Sequence, residues 1–242
     1  MSSIPNQRNS FTFDGVESTQ FGLYTNGYST FDGTTRDVES IAIPGRNGVL
    51  LRDNGRFETV PLTYVDCGLV RSGALDRYKQ LRAFLSMHQN GFYRLEDTYH
   101  PNEYRKARFV GPMEPELGAN YDTALFDLVF ECQPEHWLKS GETWATNPTS
   151  LNNPSLFAAK PLIRITGHGT VGVGSETITV ASHSLSYIDY DCALGDAFCG
   201  STNANQYITV TGIPELKGAG VTGITKSSGI TKLEIQPRWW TA

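Results

Sequence analysis

Residues 43–48, with the sequence Ile-Pro-Gly-Arg-Asn-Gly, constrain the fold of this chain more than any other segment. They place two turn signals, Pro44-Gly45 and Asn47-Gly48, directly after the end of an apolar strand. Arg46 lies at the apex of the predicted bend, so its guanidinium is offered outward on a rigid turn. No class of reaction requires this pattern, whereas a protein that presents a stiff loop to a neighbouring copy would use it.

The first 138 residues are predicted to form one β-rich domain with a single helix. Alternating apolar and polar residues indicate strands at 11–13, 38–43, 57–65, 92–95, 105–110 and 125–132. Helical spacing of apolar residues predicts an amphipathic helix of about four turns that packs on the sheet, capped by Ser72 and stopped by Asn90-Gly91. Residues 28–37 are polar and predict a loop or extended arm, and Pro134 is expected to close the last strand.

A second domain, residues 139–242, is predicted to be an antiparallel β-sandwich. The boundary near 138 is indicated by the polar, turn-rich segment 139–155. Beyond it, alternating segments are separated by turn clusters, without a helical pattern, at 162–165, 177–180, 187–190, 207–210 and 233–235. The predicted fold class is therefore mostly β, with the helix in the first domain.

Charge is distributed unevenly between the two predicted domains. Residues 1–138 hold 13 lysines and arginines, 11 of them arginine, against 18 acidic residues, whereas residues 139–242 hold seven of each sign. Arginine is favoured at protein interfaces because its planar fork binds carboxylates. We therefore expect subunit contacts in the first domain, with a lineage bias in codon use as the alternative. The net charge of −5 argues against a protein that wraps nucleic acid.

Motifs that could carry chemistry are better explained as turns. Residues 167–172 spell a dinucleotide fingerprint, but a strand rather than a helix is predicted next, so we interpret them as a glycine-rich hairpin. Asp189, Asp191 and Asp196 lack the spacing of a calcium-binding loop, and Gly195-Asp196 fits a hairpin turn. No histidine pair has metalloprotease spacing. The sequence predicts no enzyme activity, no catalytic or metal-binding residues and no cofactor.

The four cysteines, at positions 67, 132, 192 and 199, form no metal-binding or redox motif. We expect them to be free and buried, with a Cys192–Cys199 disulfide as the alternative. The first six residues lack the basic region and apolar run of a signal peptide, and no apolar stretch approaches the roughly 18 residues of a membrane span. We therefore expect a protein without membrane contact that is made and kept soluble in a cytoplasm.

An ordered series of short motifs extends from Phe11 to Trp240, over almost the whole chain. The motifs are FTFDG (11–15), FGL (21–23), IPGRNG (43–48), RAFL (82–85), YRLED (93–97), YRKA (104–107), FECQP (130–134) and IQPRWW (235–240). Each motif is short, and their joint order resembles the distal tail (Dit) protein family of siphophages. The resemblance implies a sheet-and-helix ring domain followed by a galectin-like sandwich.

The resemblance also implies a structural role in the virion, at the tip of a long non-contractile phage tail, with assembly in the host cytoplasm. It implies a homo-hexameric ring, which needs two different complementary faces on each subunit. The ring would join the tail tube protein to the tail-associated lysin or fibre protein, and the tape-measure protein would end near its bore. The sandwich would dock receptor-binding proteins. DNA would only pass through the bore, without sequence-specific binding.

Candidate interface residues lie at the predicted turn and at the end of the chain. They are Pro44, Gly45, Arg46, Asn47, Gly48, Arg238, Trp239 and Trp240. Adjacent strand residues point to opposite faces, so one tryptophan is expected to enter the sandwich and the other to face a neighbour. Stacking of the tryptophans on a sugar is the alternative, in a carbohydrate-binding adhesin acting through the C-terminal β-sandwich. Arg238 is expected to make a cation–π or carboxylate contact.

If Arg46 inserts into an adjacent subunit, the Arg46→Glu substitution reverses the charge at the contact and should weaken ring formation. The measurement is size-exclusion chromatography of the wild-type and variant proteins at matched concentration. Rings of unchanged size and abundance would contradict the role given to Arg46.

Overall fold

The computed structural model describes residues 9–26, 30–31, 33–70 and 73–242. The described residues form two compact units, one ending at His136 and the other comprising Trp137–Thr241. Antiparallel strands dominate both units and a single α-helix occurs among the described residues, so the predicted mostly β class is confirmed. The division at residue 138 into two functional domains stays a prediction.

The first unit combines one main sheet, one helix and one separate hairpin. Its described elements are β1 (Phe11–Phe13), β2 (Val16–Glu17), a 3₁₀ helix (Ser18–Phe21), β3 (Leu23–Asn26), β4 (Arg36–Ala42), β5 (Val49–Phe57), β6 (Val60–Val70), α1 (Ala74–Ser86), β7 (Tyr93–Asp97), β8 (Glu103–Phe109), β9 (Glu116–Leu117) and β10 (Thr123–Leu138). The main sheet has the strand order β2-β1-β7-β8-β10-β6-β3, and β9 also pairs with β10. Strands β4 and β5 pair with each other in a two-stranded sheet.

Aromatic side chains form the centre of the first unit's core. The Phe130 ring, fully buried on β10, lies 5.1 Å from the ring of Phe13, 5.8 Å from those of Phe11 and Phe109, and 6.0 Å from that of Tyr64, between centroids. These are the edge-to-face distances that aromatic quadrupoles favour. Four strands are thereby held together through one side chain.

The predicted amphipathic helix is present as α1, and it is shorter than expected. Its buried residues, Ala74, Tyr78, Leu81 and Leu85, recur at helical spacing and lie on one face. The predicted cap, Ser72, lies outside the described residues. The helix ends at Ser86, before the Asn90-Gly91 stop that the sequence predicted. Beyond it, the backbone N–H of His88 donates to the Leu85 carbonyl, and the His88 carbonyl accepts a hydrogen bond from the backbone N–H of Phe109, so the chain leaves the helical pattern.

Three strand predictions are corrected by the structure. The expected strand 57–65 is two strands, since β5 ends at Phe57 and β6 begins at Val60. Most of β5 was missed because its residues do not alternate between apolar and polar. Pro134 does not close β10, which continues to Leu138. The pairing of β10 with β6 ends at Cys132, so the missing N–H of Pro134 removes no hydrogen bond from that ladder.

The second unit is a sandwich of two antiparallel sheets. Its elements are a 3₁₀ helix (Lys139–Glu142), β11 (Ala145–Thr146), β12 (Ser150–Asn152), β13 (Leu162–Gly167), β14 (Gly169–Val173), β15 (Glu176–Val180), β16 (Ile188–Asp191), β17 (Asp196–Cys199), β18 (Thr202–Asn203), a 3₁₀ helix (Asn205–Tyr207), β19 (Ile208–Val210), β20 (Val221–Lys226), β21 (Ile230–Gln236) and β22 (Trp240–Thr241). The sheets have the orders β11-β21-β13-β16-β17-β18 and β12-β20-β14-β15-β19. Ile163 and Ile165 from one sheet share a buried cluster with Ile178 and Val180 from the other. The likeness of this sandwich to galectins stays a prediction.

The glycine-rich motif 167–172 carries the chain from one sheet of the sandwich to the other, so it does not form the predicted hairpin between the strands that it joins. The strand after the crossover, β14, pairs with β15. Gly167 ends β13, and Gly169 begins β14. Gly167 has φ of +102°, and a Cβ there would lie 2.2 Å from the carbonyl oxygen of Gly229. The close approach of the two backbones is enough to explain why position 167 is glycine, so the motif need not bind a phosphate. In the described part of the chain, no helix is long and apolar enough to cross a membrane.

The four cysteines are free thiols. Cys67, Cys132 and Cys192 are buried, and Cys199 is partly exposed with its sulfur 3.8 Å from the Ser186 hydroxyl. The alternative of a Cys192–Cys199 disulfide is therefore not realised in the structure. Burial raises the pKa of the Cys132 and Cys192 thiols to about 12, so both remain protonated at neutral pH.

A buried polar cluster holds the chain at Thr30, shortly before β4. The Thr30 carbonyl accepts a hydrogen bond of 2.6 Å from Arg105 Nη2, and His100 Nε2 lies 3.0 Å from the same oxygen. The ring of His136 lies 6.5 Å from that of His100, and its Nδ1 is 3.4 Å from Glu103 Oε2. Part of the arm predicted at 28–37 falls outside the described residues, and the strand β4 begins at Arg36.

The Phe130→Ala substitution should lower the free energy of unfolding of the first unit by about 3–5 kcal/mol, because it leaves a cavity among four aromatic rings. The measurement is urea denaturation followed by fluorescence. Met87→Ala is the matched control, since Met87 is 74% exposed, and it should change stability by less than about 0.5 kcal/mol. Equal effects of the two substitutions would contradict the central position of Phe130.

Acid should destabilise the first unit through His136. Burial lowers the pKa of His136 from 6.5 to about 4, and the positive charges of Arg105 and His100 act in the same direction. The unfolded chain then binds more protons than the folded chain as pH falls from about 6.5 to about 4, so stability falls across this interval.

The measurement is the thermal midpoint at constant ionic strength over that pH range. His136→Gln should make the fall in midpoint shallower, while His168→Gln, at an exposed position, should leave it unchanged. A wild-type slope in the His136→Gln variant would show that another group is responsible.

Candidate interaction surface

Strands β4 and β5 and the turn between them, residues 36–57, form a hairpin outside the main sheet. Its register pairs Ala42 with Val49 at the turn and Arg36 with Phe57 at the base. Because a strand rises about 3.4 Å per residue, β5 carries the turn roughly 27 Å from the base. An isolated two-stranded hairpin is at best marginally stable in water, so we expect a hairpin of this length to be stabilised by contact with another surface.

The hairpin exposes aliphatic side chains instead of burying them. Val49, Leu50 and Leu51 are 55%, 46% and 64% exposed, and Val38 and Ile43 are 40% and 37% exposed. These five residues, which we call the aliphatic patch, lie on both strands and, for Ile43, at the start of the turn. Several large exposed apolar side chains on one element are typical of protein–protein contact sites.

The turn has the tight geometry that the two turn signals predict. Gly45 and Gly48 have φ of +79° and +83°, and the N–H of Arg46 donates to the Ile43 carbonyl over 3.1 Å. A Cβ at either glycine would meet nothing within 4 Å. The glycines are therefore required by the left-handed backbone and not by lack of space. Pro44, Arg46 and Asn47 lie with them at the exposed tip.

Cross-strand ion pairs compensate the charges of the hairpin below its tip. Arg36 Nη2 lies 2.8 Å from Asp53 Oδ2, Arg56 Nε lies 2.6 Å from Asp37 Oδ2, and Arg52 Nη1 lies 3.8 Å from Glu39 Oε2. Exposed pairs of this kind contribute little stability, and their main effect here is to fix the register of the two strands.

The ion pairs also lower the pKa values of two of their carboxyl groups. Hydrogen bonds from Arg36 and from the Gly55 N–H hold the pKa of Asp53 below its ordinary value. Those from Asn54 and Arg56 lower the pKa of Asp37. Both acids are therefore ionised at neutral pH, and they neutralise the arginines beside them.

The other predicted interface residues lie in the second unit and make contacts within it. Arg238 grips Asp191 with two hydrogen bonds of 2.9 and 3.0 Å, which is the carboxylate contact among the two alternatives for this residue. Burial opposes ionisation of Asp191, but the bonds from Arg238 and from two backbone N–H groups outweigh it and lower its pKa. Whether Arg238 also contributes to an interface stays a prediction.

The two terminal tryptophans are both packed on the sandwich. Trp239 is 5% exposed and belongs to the core, as expected for one of the pair. The Trp240 ring stacks on Phe157 at 4.5 Å between centroids, and its Nε1–H donates to the Ala158 carbonyl. The predicted contact of the second tryptophan with a neighbouring subunit stays a prediction.

The structure thus brings the five turn residues together at one tip and leaves residues 238–240 in a different unit. The aliphatic patch was missed because a consecutive run such as Val49-Leu50-Leu51 usually indicates a buried strand. Its position directly after two turn signals was the available sign of a hairpin. Among the described residues, no three His, Cys, Asp or Glu side chains come together as a metal site.

The fold is shared with solved structures of phage tail proteins. The Dit protein (gp 19.1) of phage SPP1 superposes with a TM-score of 0.67 over 97% of this chain and 99% of that chain, at 13% sequence identity. A chain of the phage P2 baseplate, in its activated conformation with Ca, gives a TM-score of 0.53 over 94% of this chain and 96% of its own, at 9% identity. No family model and no curated protein matches the sequence. At these identities the common property is the fold, and at that level the resemblance to the distal tail family is confirmed: this chain has the fold of a phage Dit hub protein.

Proposed function

We propose that this protein is a structural component of a phage tail tip, where six copies form a hub ring. The observation that carries the proposal is the fold likeness to SPP1 Dit, which spans 97% of this chain and 99% of that protein. That protein is described as a paradigm of the hub adsorption apparatus in phages infecting Gram-positive bacteria. A likeness over both full lengths favours the same kind of architectural role over a shared module with another purpose.

The exposed hairpin supports self-assembly. A ring joined head to tail needs two different complementary surfaces on each subunit, because each copy is contacted by one neighbour and contacts another. The hairpin supplies a projecting surface with exposed aliphatic side chains and a rigid turn. Such a surface is unfavourable on an isolated molecule and becomes favourable once a second copy covers it.

The proposed ring lies between the tail tube protein and the tail-associated lysin or fibre protein, with the tape-measure protein ending near its bore. The sandwich is the proposed docking point for receptor-binding proteins. The acidic net charge of −5 suits a ring whose bore DNA passes without binding. In this proposal the protein is not an enzyme and has no cofactor, and its place is in the virion.

The adhesin alternative has less support. Its proposed sugar platform was the tryptophan pair, but Trp239 is buried and one face of Trp240 is covered by Phe157. The structural hub is therefore the single proposed function. A carbohydrate-binding protein would be expected to retain an open aromatic face beside free hydrogen-bonding groups.

The ring proposal predicts particles of six times the 26.7 kDa monomer mass in analytical ultracentrifugation, with annular particles in negative-stain images. The matched variant replaces residues 38–55 with a short Gly-Ser turn. Within the described residues, the first unit's apolar core contains none between Leu23 and Leu62, so this variant should still unfold cooperatively on heating and should sediment as a monomer.

Only monomers of the wild-type protein, together with the absence of any annulus at the tip of the intact virion, would sink the proposal. Rings of six subunits formed by the hairpin deletion would instead remove the hairpin from the interface and leave the hub intact.

A further inference from the structure

The tip of the hairpin carries a positive charge that the rest of the hairpin does not balance. The other arginines of the hairpin, Arg36, Arg52 and Arg56, each have an acidic partner on the opposite strand. Arg46 has no such partner among the described residues, and it lies at the turn between the exposed Ile43 and Val49. A guanidinium within an apolar rim fits a surface that offers carboxylates beside aliphatic side chains.

A groove with that chemistry lies on the first unit, on the face of β10 that points away from the core. Along β10 the side chains of Phe126, Leu128 and Phe130 are buried, so Leu125, Asp127 and Val129 point the other way and line the groove. The groove has a volume of about 410 Å³, and its other described lining residues are Asp66, Pro112, Glu114, Glu116 and Phe126. Four carboxylates therefore surround an opening that also contains apolar side chains.

A bulge between β6 and β10 brings two of the carboxylates to the same opening. The register of the two strands shifts between Phe126 and Leu128. Asp66 lies opposite this shift with φ of +53°, and its backbone N–H donates to Asp127 Oδ1 over 2.9 Å. None of the four acids of the groove has an ion-pair partner within the described ranges, and none of the described lining residues is a lysine or an arginine.

The groove also matches the aliphatic part of the tip. Leu125, which is 45% exposed, and Val129 lie on the same face of β10 and supply apolar surface in the groove. No described lining residue of the groove comes from residues 36–57, so the groove is not filled by the hairpin of its own chain. The hairpin tip and the groove are therefore different but complementary surfaces. Within the part of the chain that the structure describes, the tip carries a cation without a carboxylate partner, and the groove carries carboxylates without a cationic partner.

We propose that the groove receives the hairpin tip of a neighbouring copy of this chain, with Arg46 among the carboxylates of Asp66, Glu114, Glu116 and Asp127. Val49 then packs against Leu125 and Val129. The contact is heterologous, because a tip meets a groove, and such contacts close into a ring when the rotation between copies allows it. This assignment rests on the proposed hub function and identifies the second of the two faces that a ring requires.

The test uses charge reversal on each side of the contact in the full-length protein. The tip variant is Arg46→Glu, and the groove variant combines Glu114→Arg with Glu116→Arg, two exposed residues. The control combines Asp76→Arg with Glu215→Arg, which are exposed acids outside the groove and change the net charge by the same amount as the groove variant. Circular dichroism and thermal midpoints confirm that each variant is folded before assembly is measured by analytical ultracentrifugation.

Each reversed variant alone should assemble at least about tenfold more weakly than the wild type, because like charges then face each other at every contact. An equimolar mixture of the tip and groove variants should recover assembly. In an alternating ring the acidic tip of one variant meets the basic groove of the other, and the unchanged tip meets the unchanged groove. An even number of subunits allows this alternation to close. The control should assemble as the wild type does.

Several outcomes would overturn the docking assignment. Undiminished assembly of the groove variant would do so while leaving the hub function in place, as would a mixture that stays monomeric. Loss of wild-type assembly on addition of EDTA would assign the acids to a bound divalent cation instead. A wild-type protein that forms no oligomer, alone or in the virion, would remove the hub function and the docking assignment together.

Discussion

Alternation of side chains along β10 is the constraint on which the rest of the first unit depends. This strand lies between β8 and β6 in the sheet, so both of its backbone edges are occupied. One face supplies Phe126, Leu128 and Phe130 to the core, where Phe130 contacts aromatic rings from β1, β6 and β8. The opposite face is left to line the acidic groove. A shift of one residue in register would exchange these two faces and remove both the core and the groove.

The hairpin at residues 36–57 follows the opposite logic. It has no buried face, and its strands are held by ladder hydrogen bonds and by cross-strand pairs such as Arg36–Asp53. Those pairs leave its aliphatic side chains in water, which costs free energy that no contact within the described chain offsets. The hairpin is therefore understandable as an element whose stability is completed by assembly. The turn at its tip is rigid in itself, because Gly45 and Gly48 supply the left-handed backbone that it needs.

The fold persists at 13% identity to SPP1 Dit because few positions demand a particular residue. A β-sandwich core accepts any set of aliphatic side chains that fills its volume, and surface strands accept almost any polar residue. Positions that do demand one residue, such as Gly167 beside the Gly229 carbonyl, are scattered singly along the chain. Similarity of fold is therefore easy to detect in three dimensions here, while no family model recognises the sequence.

The sequence by itself determined the features that rest on local chemistry: the bend at residues 44–48, the buried face of α1 and the alternating strands. Tertiary structure decided whatever depends on partners distant in the chain. Nothing near Arg238 in sequence shows that it pairs with Asp191, 47 residues earlier, and nothing near Asp66 shows that Asp127 lies beside it. Strand β5 escaped prediction for a related reason, since alternation appears only where one face of a strand is buried. Local backbone preferences act between residues that are close in sequence. Grooves and ion pairs of this kind arise instead where strands that are far apart in the sequence pack against each other.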